Sequence, residues 1–587
     1  MKSSILFNIK TLWNLSDFRR KFFFLSLTSI MILSAFTELI TVITVMPFIA
    51  SLTQNDLLTQ YQIINNIIEF IGYEGNVLYL LALLLISIIL LSSALRILTL
   101  YLSIKFAVSY GIELSNNTYK STLLKDYIYH TKVNSSEIVS AIIDKVDAII
   151  FHFIQGTLNL ITASFMLIAI LLALIIVDFK IAMFSAIILL SLYLLVTILV
   201  NSALKKTSQI VSFQQSNIIK NLNEGLNSIR DIILDNKQQF YVNQFSKQNT
   251  SLREVVGLQN LFHSAPRYFI EAILLCTAIG FVMFIFNNNN VELLDFLPAI
   301  GALVLGAQKL IPNIQMVYQT WVKMKGNNDS CTDVLKILLE TPYHGSKNLG
   351  NSKIDFNQMI IFKNVNFSYS GNTPYDLVDL NLSISKGSII GIYGQTGSGK
   401  STFLDLLMGL LKPVSGKIIV DKNELSEENL IDWQSKISHV PQSIYLVDET
   451  FQSNIAFGEN EKDIDFKKLE TAISIANAKK FIETKEKGLL SIIGEKGLQI
   501  SGGQRQRIGI ARSVYRSFEI LILDEATNAL DEETEGKVIN SIIQSNKNAT
   551  IILLTHRISS LKRCDSIFCV SKNTINEVEY SEISKIK

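Results

Sequence analysis

Long apolar stretches in the first half of the chain constrain its fold more than any other feature of the sequence. Each is roughly 20 residues or longer, which is the length that an α-helix needs to cross the hydrocarbon core of a bilayer. The apolar stretch farthest along the chain is the least regular of them, because Lys309 and Pro312 interrupt it. We predict six membrane spans, near residues 22–50, 77–102, 153–176, 181–202, 266–287 and 292–318.

The distribution of lysine and arginine predicts which side of the membrane each loop faces. The motif FRRKF precedes the first span, and residues 51–75 contain neither Lys nor Arg. Residues 103–150 and 203–263, in contrast, carry many basic side chains. We therefore expect these two long segments and both chain termini to be cytoplasmic. Their apolar periodicity indicates helices, either extensions of the membrane helices or helices lying on the membrane surface.

The character of the chain changes after about residue 320, where charged residues gather and short apolar strands alternate with helices. The stretch 342–355 is rich in turn-forming residues and predicts a linker. The predicted architecture is a six-span α-helical membrane domain, 1–341, followed by the linker and an α/β domain, 356–587. Because residues 394–401 of this domain, GQTGSGKS, match a phosphate-loop motif, it is predicted to be an α/β phosphate-loop nucleotide-binding domain. A net charge of +2 gives no global attraction to nucleic acid, and none is expected as a partner.

The stretch GIYGQTGSGKSTF, residues 391–403, contains the pattern G-x-x-x-x-G-K-[ST] between an apolar strand and an apolar helix. Glycine lets the backbone N–H groups of such a loop approach a polyphosphate, and the following helix directs its N-terminus at the anion. Lys400 is expected to reach the β- and γ-phosphates, and the Ser401 hydroxyl to bind Mg²⁺. The predicted ATP-binding residues of this loop are Gly394, Gln395, Thr396, Gly397, Ser398, Gly399, Lys400, Ser401 and Thr402.

Two more stretches of this domain predict nucleotide chemistry. EILILDEAT is a buried strand that ends in Asp524 and Glu525. The first acid is suited to hold Mg²⁺, and the second to polarise the water that attacks the γ-phosphate. ISGGQRQR, residues 500–507, is a second glycine turn that opens a helix, again an anion-binding arrangement.

The SGGQ sequence between the two nucleotide motifs resembles the signature of ABC ATPases, and six spans followed by such a domain resemble an ABC exporter half-transporter. The resemblance implies that Tyr369 stacks on adenine and that His556 contacts the γ-phosphate. It implies that Gln442 senses the metal and the membrane domain, so that Ser401, Gln442 and Asp524 together would bind Mg²⁺. The remaining implied ATP contacts are Ser501, Gly502, Gly503 and Gln504 of the signature and the dimer-contact residue Asp531.

In this family two nucleotide domains meet head to tail, so the signature of one subunit caps the ATP held by the other. A chain with a single such domain is therefore expected to pair with a second copy of itself, and a heterodimer stays possible.

Three departures from the family pattern are small. Ile500 stands in place of leucine in the signature, Asn528 in place of serine in the NALD motif, and the C-terminal stretch lacks a glycine turn.

Ionisable residues inside the spans are candidates for cargo contacts, since they are costly there. They are Glu38, Arg96, Arg267, Glu271 and Lys309. The competing interpretation is structural: Arg267 and Glu271 could pair along one helix, and Glu38 could bond to a neighbouring helix. If the cargo carries a pyrophosphate, we expect Arg267 to be the leading anion contact.

The first, fifth and sixth spans also resemble those of PglK-type flippases, which move lipid-linked oligosaccharides. The resemblance implies an amphipathic glycolipid cargo and a multi-pass location in the bacterial inner membrane. A general lipid or multidrug exporter is the first alternative. The alternative from another class is an ATP-gated channel or regulator, although Glu525 and His556 favour turnover over gating.

Overall fold

The computed structural model describes residues 4–53, 77–177, 179–288, 293–340, 352–371, 374–494, 497 and 499–583. The chain divides into two compact units. The first comprises Met1–Lys125 and Val133–Thr341, and the second comprises Asp126–Lys132 and Pro342–Lys587. A short segment from the N-terminal half of the chain therefore belongs to the second unit. The predicted linker at 342–355 lies mostly outside the described residues.

The first unit is helical throughout its described part. Two π-helical segments, Ala141–Lys145 and Ile149–Ile154, interrupt one of its long helices on either side of Val146–Ala148. The helices are α1 (Ile5–Leu15), α2 (Phe18–Thr53), α3 (Val77–Leu123), α5 (Ser135–Ser140), α6 (Gln155–Val177), α7 (Phe179–Asn227), α8 (Ile229–Leu234), α9 (Gln238–Asn288), α10 (Leu293–Gly326) and α11 (Asn328–Leu339). The numbering leaves α4 for Tyr127–Lys132, which belongs to the second unit.

Four helical stretches among the described residues are long and apolar enough to cross a membrane: Phe18–Ile49, Leu78–Leu123, Ser135–Ile176 and Leu190–Asn227. They correspond to the first four predicted spans. The fifth and sixth fall within α9 and α10, where the side chains of residues 277–307 lie outside the described part. A 47-residue helix such as α3 is about 70 Å long, more than twice the thickness of the hydrocarbon core. The first part of each basic segment, as far as Leu123 and Asn227, thus continues an apolar helix without a break.

The second unit contains two sheets and the helices packed on them. Its strands are β1 (Met359–Phe367), β2 (Leu377–Ser385), β3 (Ile389–Gly394), β4 (Ser415–Val420), β5 (Asn423–Glu424), β6 (Ile437–Val440), β7 (Ile520–Asp524), β8 (Thr550–Leu554), β9 (Ser566–Ser571) and β10 (Thr574–Val578). Its helices after α4 are α12 (Lys400–Leu407), α13 (Leu430–Ser435), α14 (Phe451–Ile455), α15 (Phe466–Ile475), α16 (Lys479–Glu483), α17 (Gly502–Tyr515), α18 (Glu532–Ser545), α19 (Ile558–Leu561) and α20 (Tyr580–Ile583).

The six-stranded sheet has the order β10-β9-β3-β8-β7-β6, and β9, β3, β8, β7 and β6 are parallel. The continuous apolar runs of β7 and β8 are buried on both faces, as expected for central parallel strands. The smaller sheet, β2-β1-β4-β5, is antiparallel. Because β3, β8, β7 and β6 are neighbours, the segments that follow their carboxyl ends meet at one edge of the sheet.

Candidate functional site

The phosphate loop follows β3 and leads directly into α12, as the motif predicts. Gly397 and Gly399 have φ angles of +79° and +102°, values that favour glycine. A β-carbon on Gly399 would also lie 2.7 Å from a methyl group of Leu377. A residue with a β-carbon at position 397 or 399 would therefore be strained in this loop conformation.

Two polar groups in the loop indicate a site built for an anion. The Lys400 ammonium donates to the carbonyl oxygens of Gly394 and Gln395, at 2.9 and 2.8 Å. It thus curls over the loop from the first turn of α12. The Ser398 hydroxyl is buried and has no hydrogen-bond partner among the described residues. A cation and an unpaired donor facing a glycine loop fit the phosphates of ATP.

Asp524 ends β7 next to this loop and is partly buried. Burial, and after it the neighbouring Glu525, raises the pKa of the Asp524 carboxyl, while Lys400 opposes the change. Burial likewise lowers the pKa of Lys400, against the effect of Glu525 and Asp524. A divalent cation would relieve the repulsion between the two carboxylates. The donor set predicted for it, Ser401, Gln442 and Asp524, offers the oxygen ligands that Mg²⁺ prefers.

Glu525 sits at the centre of the predicted catalytic residues. His556 Nε2 lies 2.9 Å from Glu525 Oε1, and the Gln442 amide nitrogen donates to Oε2 at 2.9 Å. Gln442 follows β6, Glu525 follows β7, and His556 follows β8, so the strand order brings the three together. The Glu525 side chain is only 12% exposed, which keeps a potential base largely out of bulk water.

A third side chain, Asn528, donates a hydrogen bond to Glu525, and it was not among the predicted catalytic residues. The Asn528 amide nitrogen also donates to Oε2, at 2.9 Å. Its own carbonyl accepts from Arg557, which contacts the buried carboxylate of Glu535 as well. The signal available in the sequence was the departure from serine at position 528. Nothing in the sequence pattern singled out Arg557 or Glu535.

The signature turn caps a 14-residue helix. Ser501 is the N-cap of α17, and its hydroxyl accepts from the Gln504 N–H, while the Gln504 side chain accepts from the Ser501 N–H. The side chains at the start of this helix are at least partly exposed. In Gly503 a β-carbon would lie 3.0 Å from the Ala529 carbonyl oxygen. The helix N-terminus is thus ordered and open to a partner anion.

Two other predicted nucleotide residues occupy defined places. The Tyr369 side chain is 37% exposed, and its hydroxyl lies 3.5 Å from that of Thr402 in α12. Its face is therefore available beside the phosphate loop. Asp531 is the N-cap of α18, where it accepts from the Thr534 N–H at 2.9 Å. This hydrogen bond lowers the pKa of the Asp531 carboxyl, so the residue stays an anion at neutral pH.

In the first unit, which contains the predicted membrane spans, three of the five candidate cargo-binding residues contact one another. Glu38 on α2 is 2% exposed, accepts from the Ser92 hydroxyl at 2.8 Å and contacts the Lys309 ammonium. Arg96 lies 3.9 Å from the same carboxylate. The group joins α2, α3 and α10, as the structural interpretation of Glu38 expects. A buried carboxylate needs such partners.

The other two candidates lie on α9. Arg267 and Glu271 are 3.8 Å apart and about half exposed, so they pair along the helix as the structural interpretation expects. Arg267 also lines a cavity of about 350 Å³ between α6, the π-helical segment before it, α9 and α10. Most of the lining is polar, and it includes His152, Asn159, Gln315, Gln319 and Lys323.

Comparisons with known proteins agree with this architecture. Residues 23–308 match the ABC transporter transmembrane region, and residues 377–528 match the ABC transporter domain. The ATP-dependent lipid A-core flippase of Wigglesworthia glossinidia brevipalpis is 41% identical over 39% of this chain and 39% of its own length. The flippase of the same name from Escherichia coli K12 is 38% identical over 37% of each chain. The Toxin RTX-I translocation ATP-binding protein of Actinobacillus pleuropneumoniae is 35% identical over 48% of this chain and 39% of its own length.

These matches span about two fifths of the length of the curated relatives. A solved structure extends the likeness to nearly the whole fold. A bacterial Atm1-family ABC exporter with ATP bound has a TM-score of 0.78, with 96% of each chain covered and 18% identity. The chain thus has a helical transmembrane region followed by an ABC ATPase domain, as predicted, and that domain implies ATP binding.

Proposed function

Since this chain joins the transmembrane region and the nucleotide-binding domain of ABC transporters, we propose that it hydrolyses ATP to move an amphipathic glycolipid across a bacterial inner membrane. The observation that carries the proposal is the cluster around Glu525. A carboxylate with polar neighbours beside a complete phosphate loop is suited to turnover. A channel or regulator that ATP only gates would not need it.

Each residue of the nucleotide site has a proposed task. Lys400 and the loop N–H groups would bind the phosphates, while Ser401, Gln442 and Asp524 would hold Mg²⁺. The bound nucleotide supplies the reactive phosphoanhydride. Glu525 orients the attacking water and accepts its proton, and His556 stabilises charge on the γ-phosphoryl group.

The active form proposed here is a pair of chains. The capped N-terminus of α17 is a ready anion-binding end, and in the proposed dimer it faces the phosphate loop of the second copy. Two copies of one chain give two equivalent composite sites. A heterodimer with a related chain stays possible on the same reasoning.

The proposed cargo is a glycolipid with phosphate on its polar end. Two flippase relatives are named for lipid A-core, which favours a glycolipid over a general drug. The narrower resemblance to flippases of lipid-linked oligosaccharides has no support among these relatives. In the membrane unit, the cavity at Arg267 offers a guanidinium, Lys323 and two glutamine amides to an anionic head group. Glu38, Arg96 and Lys309 are assigned to holding α2, α3 and α10 together.

The test measures ATP hydrolysis in proteoliposomes as a phosphorylated glycolipid is added. We expect Arg267→Gln to reduce the stimulation about five- to tenfold, because a charge-assisted hydrogen bond to phosphate is lost. Basal hydrolysis should persist. An uncharged glycolipid should stimulate both proteins equally.

Arg253→Gln is the matched control, because Arg253 is an exposed arginine on the same helix, α9, and does not line the cavity. Equal losses of stimulation with both glycolipids, or no loss with either, would reject Arg267 as the anion contact and leave a general lipid or drug exporter. Ion conductance without hydrolysis would reject the pump itself.

A further inference from the structure

The Glu525 carboxylate contacts three neighbouring side chains. Oε1 faces His556, and Oε2 accepts from both Gln442 and Asn528. Since a carboxylate can only accept, the orientation of the Asn528 amide is fixed with its nitrogen toward Glu525. A base must also accept from the attacking water, which would need a further acceptor site on this carboxylate.

Two of the three neighbours have proposed duties toward the nucleotide. His556 reaches Glu525 through Nε2, the nitrogen at the far end of its ring, which would also be the one to reach a phosphate. Gln442 would turn its carboxamide toward Mg²⁺. Asn528 has no such duty and lies in the same turn as the base.

The turn that carries Asn528 is held at several points. Glu525 has a φ of +50°, and the Asn528 N–H donates to its carbonyl oxygen at 3.2 Å. Arg557 donates to the carbonyl oxygens of Asn528 and Leu530, at 3.1 and 2.9 Å. The Asn528 amide is therefore fixed relative to the backbone of Glu525 and to the segment that bears His556.

We propose that Asn528 is a positioning residue, which keeps the Glu525 carboxylate aimed when His556 and Gln442 turn to the nucleotide. The proposal rests on the proposed role of Glu525 as the base. It assigns a purpose to the asparagine that replaces the serine of the family motif. A serine hydroxyl ends one bond closer to the backbone than the asparagine amide.

The test uses the full-length protein in lipid and separates binding from turnover. Asn528→Ala should lower kcat about tenfold, the effect of losing one hydrogen bond to a charged group. The affinity for a non-hydrolysable ATP analogue and the Tm without nucleotide should match those of the wild type. Asn528→Asp keeps the shape, removes the donor and adds a repelling carboxylate, so it should lower kcat further at unchanged affinity.

Asn357→Ala is the matched control, because Asn357 is an exposed asparagine before β1, far along the chain from the catalytic strands. A kcat within twofold of the wild type in Asn528→Ala, or a loss of nucleotide affinity or Tm that accounts for the lower rate, would overturn the proposal. The variant Glu525→Gln distinguishes a failure of the Asn528 proposal from a failure of the proposed function. That variant should bind ATP and lose at least about a hundredfold in kcat, and if it does not, the base itself is misassigned.

Discussion

Gln442, Glu525 and His556 lie far apart in the sequence and follow three neighbouring strands. Each carries its own motif, so the sequence predicted each residue and its task. Their hydrogen bonds depend on the strand order β8-β7-β6 and on the positive φ of Glu525, which no local pattern encodes. The contact from Asn528 went unpredicted for that reason. The same limit applies to Glu38, whose charge was evident but whose partners on two other helices were not.

Asp405 on α12 allows a prediction about pH. Burial, and after it the nearby Asp524, raises the pKa of the Asp405 carboxyl to about 6, against about 4 in an unfolded chain. Between these values the folded protein binds more protons than the unfolded one, so the ionised group costs stability as pH rises through 6. Asp405→Asn should therefore raise the Tm by about 2–4 °C at pH 7.5 and by little at pH 4.5.

Asp421 provides the control of opposite sign. Its carboxylate accepts from the backbone N–H groups of Asn357, Gln358 and Met359, and these bonds lower its pKa despite the opposing effect of burial. The stability that it contributes is present above pH 4 and is lost as pH falls further. Asp421→Asn should thus lower the Tm equally at pH 5 and pH 7.5. Intrinsic fluorescence can follow both variants, and a pH-independent gain in Asp405→Asn would contradict the assignment.

At the scale of whole elements, sequence periodicity predicts a helix at α4 but does not say which part of the protein that helix packs against. From their position in the cytoplasmic segments, we expect residues 126–136 and 226–237 to dock on the nucleotide domain close to Gln442. In the structure, α4 belongs to the nucleotide-binding unit, and its Lys132 donates to the Tyr369 carbonyl oxygen at 3.3 Å. Ile128 packs against the core formed by both sheets and α12. The segment 226–237 stays a prediction.

The boundaries of the long helices could also be predicted only in part from the sequence. Composition predicted where apolar helices cross the membrane, because a long apolar run has few other stable environments. It could not decide whether the basic segments continue those helices, since amphipathic periodicity is the same on a membrane surface. The helices α3 and α7 run unbroken over 47 and 49 residues, and neither contains an internal proline.

The packing of Ile128 gives a prediction for coupling. Ile128→Glu would place an uncompensated charge against an apolar core, so α4 should leave its place. ATP affinity should change little, because none of the proposed nucleotide contacts lies on α4 and only the Lys132 contact to the Tyr369 backbone is lost. Lipid transport in proteoliposomes should fall at least about tenfold, and hydrolysis should no longer respond to cargo. His130→Ala on the same helix, where the side chain is exposed, is the control. Normal transport in Ile128→Glu would show that this docking does not couple the two activities.

For the molecule as a whole, the nucleotide site offers two kinds of surface on one chain. One is the phosphate loop with Lys400, and the other is the exposed, capped start of α17 with Ser501. Each can bind an anion, and in the proposed head-to-tail pair each completes the site of the other chain. If each chain instead formed its site alone, lesions in the two surfaces could not compensate for one another.

A mixed dimer distinguishes these arrangements. Lys400→Ala and Ser501→Arg chains, each with its own affinity tag, are expressed together, and dimers with both tags are isolated. In a head-to-tail pair one site carries both lesions and the other carries none, because the intact Lys400 faces the intact Ser501. Such dimers should trap about half as much nucleotide with vanadate as the wild type, since one of two equivalent sites survives. Either variant paired with itself should trap almost none. If the doubly tagged dimers also trap none, the two surfaces do not meet across the pair, and the arrangement proposed for the active form is wrong.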